Sequence, residues 1–120
     1  MASILIVDDA EFMRMTIKQY LEPEGHTVVG EAETGIEAWQ MYALVQPDIV
    51  ILDITMPDMN GIEALRRMRI IDPEARIIIC SALGQHELVA KAIEYGAKDF
   101  IVKPFSRERL VAAVKKVLSR

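Results

Sequence analysis

Asp8, Asp9, Asp53, Ser81 and Lys103 are the residues of this chain best suited to moving a charged group, and they stand in comparable places. Asp8 and Asp9 directly follow the apolar run Ile4 to Val7, and Asp53 directly follows Ile49 to Leu52. Ser81 follows Ile77 to Cys80, and Lys103 follows Phe100 to Val102. Carboxylates with ordinary pKa values near ~4 are all ionised at neutral pH, so a cluster of them repels itself unless a cation joins it. Hard oxygen ligands favour Mg²⁺, which takes one or two protein carboxylates, keeps several waters and turns its remaining positions to phosphate oxygens. A serine hydroxyl can donate to a phosphoryl oxygen and a lysine ammonium can neutralise another. The set therefore suits phosphoryl transfer to a carboxylate.

Taken one at a time these residues have plainer uses. Asp8 or Asp9 would cap a helix beginning near Ala10, Asp53 would open a turn, Ser81 would be a turn or cap residue, and Lys103 a solvated loop charge. Only their joint placement points to chemistry. Other reactive types read as structural. Cys80 lies within an isoleucine run and reads as a small buried hydrophobe. His26 and His86 lack partners at metal-ligand spacing and are expected in solvent. Met13, Met15, Trp39 and Tyr42 are explained by helix packing.

The elements that must position these residues are legible as a repeat. Five apolar runs, Ile4 to Val7, Thr27 to Val29, Ile49 to Leu52, Ile77 to Cys80 and Phe100 to Val102, alternate with five amphipathic stretches. That alternation predicts an α/β fold, a parallel sheet with helices on both faces. Met13, Ile17, Tyr20 and Leu21 fall at helical spacing, as do Leu110, Val114, Val117 and Leu118, each set predicting one buried stripe. In an open sheet of this kind ligands bind beyond the carboxyl ends of the strands, where the strand order reverses. With a doubly wound, flavodoxin-like (βα)5 sheet in the order 2-1-3-4-5, the first and third strands are neighbours and the three carboxylates converge.

The 120 residues predict one domain, 1–120, with no linker, repeat or low-complexity segment. Hydrophobic residues make up 52% and charged residues 27%, without an apolar run long enough to span a bilayer, so no membrane association is expected. The start lacks the basic segment and cleavage site of a signal peptide, so a cytoplasmic location is expected. A net charge of -4 without a basic cluster argues against nucleic-acid binding.

Over its whole length the sequence resembles the receiver domains of bacterial and archaeal response regulators. The resemblance rests on Val7-Asp8-Asp9, Leu52-Asp53-Ile54-Thr55-Met56-Pro57, Asn60-Gly61, Ser81-Ala82, Gly96-Ala97-Lys98-Asp99-Phe100 and Lys103-Pro104-Phe105, in the family's order and approximate spacing. It implies that Asp53 is the phosphoacceptor, taking its phosphoryl group from a histidine kinase phosphohistidine. It further implies that Asp9, Asp53 and the backbone carbonyl of Thr55 ligate Mg²⁺, with Asp8 orienting a metal-bound water. Ser81 and Lys103 would hold phosphoryl oxygens, and the Lys103-Pro104 peptide would be cis. Phe100 matches the family's switch aromatic, moving inward as Ser81 is drawn to the phosphoryl group. Output would use a face that includes Lys91, Tyr95, Phe100 and Phe105. Thr55 and Leu83 would flank the acyl phosphate and control the approach of water, a bulky Leu83 slowing its loss.

Within that family, Asp8-Asp9-Ala10-Glu11-Phe12-Met13-Arg14 and Cys80-Ser81-Ala82-Leu83-Gly84-Gln85 look most like stand-alone chemotaxis regulators of the CheY type. That likeness implies a chemotaxis kinase upstream, a flagellar motor switch protein downstream and a possible phosphatase. The chain would modify itself rather than act as an enzyme on other substrates. A phosphorelay receiver or the receiver of a longer transcriptional regulator is the nearest alternative. From another class, a haloacid-dehalogenase-type phosphatase needs a second Asp two residues after the nucleophile, where this chain has Thr55. A flavin-binding fold needs a hydroxyl-rich phosphate loop after the first strand, where Asp8-Asp9 would repel the phosphate.

Overall fold

The structure is a computed structural model that describes residues 1–56 and 61–119. Pro57 and Asn60, two positions of the motifs above, lie outside the described residues. Five strands, β1 (Ser3–Val7), β2 (Thr27–Ala32), β3 (Ile49–Asp53), β4 (Ile77–Ala82) and β5 (Asp99–Lys103), alternate with five helices. The helices are α1 (Glu11–Leu21), α2 (Gly35–Val45), α3 (Gly61–Ile71), α4 (His86–Glu94) and α5 (Arg107–Leu118). All pairings are parallel and the order is β2-β1-β3-β4-β5, as expected.

Position in the sheet explains the composition of each strand. Central β3 is buried at every residue and its Ile-Val-Ile-Leu run is apolar throughout, because helices cover both faces. Edge strand β2 alternates exposed and half-buried residues, and runs on to Ala32, past the apolar run that marked it in the sequence. The pleat sends successive side chains to opposite faces. Leu5, Val7, Val50, Leu52, Ile77 and Ile79 pack with α2, α3 and α4 side chains such as Ala38, Leu65, Met68 and Ala92. Ile4, Ile6, Ile49, Ile51, Ile78 and Cys80 pack with Ile17 and Leu21 of α1 and with Leu110, Val114 and Val117 of α5.

The helix starts show which acidic and hydroxyl side chains are committed to the backbone. Thr34 caps α2 by accepting from the Glu37 amide, and Ser106 caps α5 by accepting from the Arg109 amide. The N-cap of α1 is Ala10, without a side-chain cap. Neither Asp8 nor Asp9 is the N-cap of that helix.

The stripe expected on α1 is corrected in one respect. Its buried residues are Arg14, Ile17 and Leu21, while Met13 and Tyr20 are only partly buried and Met15 is exposed. Cys80 is buried as expected, and burial pushes its thiol up to about 12. Tyr42 is buried and its hydroxyl donates to Asp72 Oδ2 at 2.8 Å. His86 is exposed, but His26 is half-buried and its Nδ1 accepts from the Ala2 amide at 3.2 Å, so solvent alone does not satisfy it.

Candidate functional site: an acidic pocket at the carboxyl end of the sheet

β1 and β3 lie side by side with Val7 in register with Leu52, so Asp8, just past β1, meets Asp53, the last residue of β3. Asp8, Asp9 and Asp53 each place a carboxylate oxygen within 4.8 Å of the others. Asp8 is 1% exposed and Asp53 is also buried, whereas Asp9 faces solvent. Asp8 Oδ1 accepts from the Ala10 amide at 2.9 Å, and Asp53 Oδ1 accepts from the Thr55 amide at 3.2 Å. Each carboxylate keeps a second oxygen directed at the pocket, where Lys103 supplies the cation. Its Nζ donates to Asp8 Oδ2 at 2.7 Å and lies 3.5 Å from Asp53 Oδ2.

The charges perturb one another in ways that can be separated. Desolvation by burial raises the Asp53 carboxyl above its ordinary value, with Asp8 and Asp9 adding to the rise and Lys103 and the Thr55 amide opposing it. Burial pulls the Lys103 ammonium down, but the Asp8 bond and the charges of Asp53 and Asp8 outweigh it and leave the group raised. A carboxylate whose charged form is disfavoured, beside two further carboxylates, marks a pocket short of positive charge. The donor set suits a hard divalent cation: oxygen ligands only, one carboxylate open to solvent, and no thiol or imidazole.

Ser81 is placed differently from expectation. It lies within β4, one residue before its end, and is 1% exposed. Its hydroxyl has no hydrogen-bond partner among the described residues, although such groups are nearly always satisfied when buried. Phe100 lies in edge strand β5 and is 39% exposed, an outward position for the expected switch aromatic. The Lys103-Pro104 peptide is cis, as expected. Leu83 is 84% exposed. Within the expected output face, Lys91 is exposed like Phe100, while Tyr95 and Phe105 are half-buried. Arg66 lies 5.7 Å above the Tyr95 ring, and Phe105 meets Tyr20 edge-on at 6.4 Å.

Two residues that shape the pocket were not singled out from sequence. Arg14 is buried, donates to the Asp8 carbonyl at 2.8 Å and pairs with Glu31 at 3.0 Å and Glu33 at 3.4 Å, anchoring the backbone that bears Asp8. Its signal was helical register, because Arg14, Ile17 and Leu21 share one stripe. Gln85 bridges two loops, its Nε2 donating to Thr55 Oγ1 at 2.9 Å and its Oε1 accepting from the Ala82 amide at 2.7 Å. Nothing local in sequence marks a bridge to a residue thirty positions away.

Compared with known protein families, residues 4–115 match the response regulator receiver domain. The chain belongs to this family. Among curated relatives, this receiver domain is 55% identical over 114 residues to the chemotaxis protein CheY of Thermotoga maritima, covering 95% of each chain. It is also 55% identical over 116 residues to that of Bacillus subtilis, covering 97% of each. Among solved structures, a CheX-CheY-BeF3-Mg complex from Borrelia burgdorferi contains a chain with a TM-score of 0.94 and 40% identity, over 98% of this chain and 90% of that one. CheY is itself a standard example of the rule that places ligands at the switch point of such a sheet. The strand order of this receiver domain agrees with that fold, and among its described residues no helix is long and apolar enough to cross a membrane.

Proposed function

We propose that this receiver domain is a chemotaxis response regulator that takes a phosphoryl group on Asp53 and reports it by changing what it binds. The observation that carries the reading is the pocket itself. Three carboxylates gather within 4.8 Å, Lys103 leans on two of them, and the orphaned Ser81 hydroxyl lies buried in the neighbouring strand β4.

In the step proposed, an Asp53 carboxylate oxygen attacks the phosphorus of a kinase phosphohistidine. An O–P bond forms and the P–N bond breaks. The imidazole leaves with the bonding pair and takes a proton from solvent. Catalysis of this kind is mostly positioning and charge neutralisation. Lys103 neutralises one phosphoryl oxygen, and Ser81 donates to another. Asp9, Asp53 and the Thr55 carbonyl would hold Mg²⁺, with Asp8 orienting a bound water; bound there, the ion neutralises charge building on the phosphoryl oxygens. Burial raises the Asp53 carboxyl above its ordinary value, and the charge of Lys103 beside it opposes that rise.

The domain would thus serve its own chemistry rather than turn over external substrates. Where a haloacid-dehalogenase-type phosphatase has its second Asp, this chain has Thr55, whose hydroxyl accepts from Gln85. Its relatives named CheY support a chemotaxis histidine kinase as donor, a flagellar motor switch protein as receiver of the signal, and a cytoplasmic location. The test is intact mass after incubation with a small phosphodonor and Mg²⁺. A metal-dependent gain of one phosphoryl group in wild type but not in Asp53→Asn is expected. The same gain in both proteins would place the acceptor elsewhere, and no gain in either would sink the reading.

A further inference from the structure

The bridge made by Gln85 sits where the pocket meets α4. Gln85 is the N-cap residue of α4, yet its side chain makes no cap hydrogen bond to that helix. It reaches instead to Ala82, the last residue of β4, and to Thr55, two residues past Asp53. Thr55 in turn donates its amide to Asp53 Oδ1.

The direction of the Ala82 amide decides what this bridge does. Cys80 turns its carbonyl toward β3, where it accepts from the Ile54 amide at 3.0 Å. Hydrogen-bonding directions alternate along a strand, so Ala82, two residues on, faces the same side, toward the loop after Asp53. There it is the first strand donor beyond the β3–β4 ladder, whose last registered pair is Asp53 with Cys80. A phosphoryl group on Asp53 brings three acceptor oxygens to that edge. The donors β4 can offer are the unpartnered Ser81 hydroxyl and the Ala82 amide, and the second is already taken by Gln85 Oε1.

We propose that Gln85 is a positioning residue that clasps the β4–α4 loop to Thr55 in the unphosphorylated chain and must release the Ala82 amide when Asp53 is phosphorylated. The inference rests on the reading of Asp53 as acceptor. The clasp exists only in the unmodified state, so it opposes the modified one by the worth of its bonds, and removing it shifts the balance toward the modified state. Thr55 and Ala82 are exposed, so water replaces both bonds when Gln85 is truncated and the fold is little affected.

The experiment compares wild type, Gln85→Ala and Thr55→Val for binding of Mg²⁺ alone and of beryllofluoride with Mg²⁺, beryllofluoride serving as a tetrahedral stand-in for the phosphoryl group. Thr55→Val severs the Thr55 end of the clasp, and Gln85→Ala severs both ends. Both are expected to bind beryllofluoride about 3–10-fold more tightly than wild type, as the loss of one or two modest hydrogen bonds implies. The affinity of Gln85→Ala for Mg²⁺ alone should stay that of wild type. A merely structural role would weaken both ligands together. Unchanged or weaker beryllofluoride binding in Gln85→Ala, with wild type binding normally, overturns the clasp. Failure of wild type to bind beryllofluoride with Mg²⁺ overturns the acceptor reading instead.

Discussion

Lys103 holds Asp8 more closely than Asp53: its ammonium donates to Asp8 Oδ2 at 2.7 Å and stands 3.5 Å from Asp53 Oδ2. The lysine therefore acts as the resident cation of the pocket, and a divalent ion entering it must share carboxylates with that ammonium. Lys103→Met keeps the length of the side chain and removes the charge. Asp8, with its side chain 2% exposed, is then left buried without a cation. Breaking a buried pair costs ~3–5 kcal/mol, and partial exposure of Lys103 brings the expected loss to about 2 kcal/mol. Urea unfolding without divalent ions should read that loss, and Mg²⁺ should bind Lys103→Met more tightly than wild type and restore part of the stability. Equal stability and equal Mg²⁺ affinity in the two proteins would mean that the ammonium does not hold the cluster.

Asp53→Asn is expected to stabilise the ion-free fold at neutral pH. The folded carboxyl titrates above its ordinary 3.8, first because burial desolvates it. Between 3.8 and the folded value the native state binds more protons than the unfolded one, so stability falls as pH rises through that window and stays lower above it. An asparagine of the same shape carries no charge to desolvate. Denaturant titrations at neutral pH should place Asp53→Asn above wild type, with the gap closing as the pH falls below the window or as Mg²⁺ is added. A less stable Asp53→Asn would reverse the sign of this argument.

The sheet and the pocket were legible because both are written in local pattern. Buried parallel strands demand continuous apolar runs, and a residue just past such a run has its place in space fixed by strand order alone. Asp8, Asp53 and Lys103 were found that way. Ser81 was found by the same rule but lies inside β4, because the strand continues past its apolar run to Ala82. Arg14 was missed because a charged residue was not counted in a buried stripe, although Glu31, Glu33 and the Asp8 carbonyl satisfy its guanidinium. Gln85 was illegible because its partner Thr55 comes near only when β3 and β4 pair. The outward Phe100 depends on the packing of the edge strand rather than on residue type.

His26 links the start of the chain to pH. Burial is the main cause that lowers its pKa below the ordinary 6.5, the positive N-terminus adds to it, and Glu24 opposes. Neutral Nδ1 accepts the Ala2 amide, a bond that the protonated ring cannot make. The unfolded chain binds the proton first, so this contribution is full above 6.5 and is lost as pH falls from there toward the lower folded value. Comparing wild type with His26→Gln by thermal unfolding from about pH 8 to about pH 5 should show wild type losing more stability across that range. Parallel curves would show that the imidazole does not couple to folding.

Gly61 opens α3 against the strand end that bears Asp53. Its amide donates to the Ile54 carbonyl at 2.7 Å, and a Cβ added there would lie 2.5 Å from the Asp53 carbonyl oxygen and 2.5 Å from Ile54 Cα. Replacing glycine by alanine in a helix ordinarily gains ~0.5–1 kcal/mol. Here the obstruction is backbone on a fully buried strand, which cannot swing aside as a flexible side chain would. Overpacking of this kind costs ~1–3 kcal/mol, so the net sign is destabilising. Relief of the contact must displace either α3 or the main chain of Asp53 and Ile54, and the second moves the Asp53 carboxylate relative to Lys103. Gly61→Ala is therefore expected to melt at lower temperature and to gain the phosphoryl group about tenfold or more slowly than wild type in a mass time course. A slower gain with unchanged melting would point to the main chain of Asp53 and Ile54 yielding at little cost, and full activity with full stability would mean that α3 yields at little cost and spares Asp53.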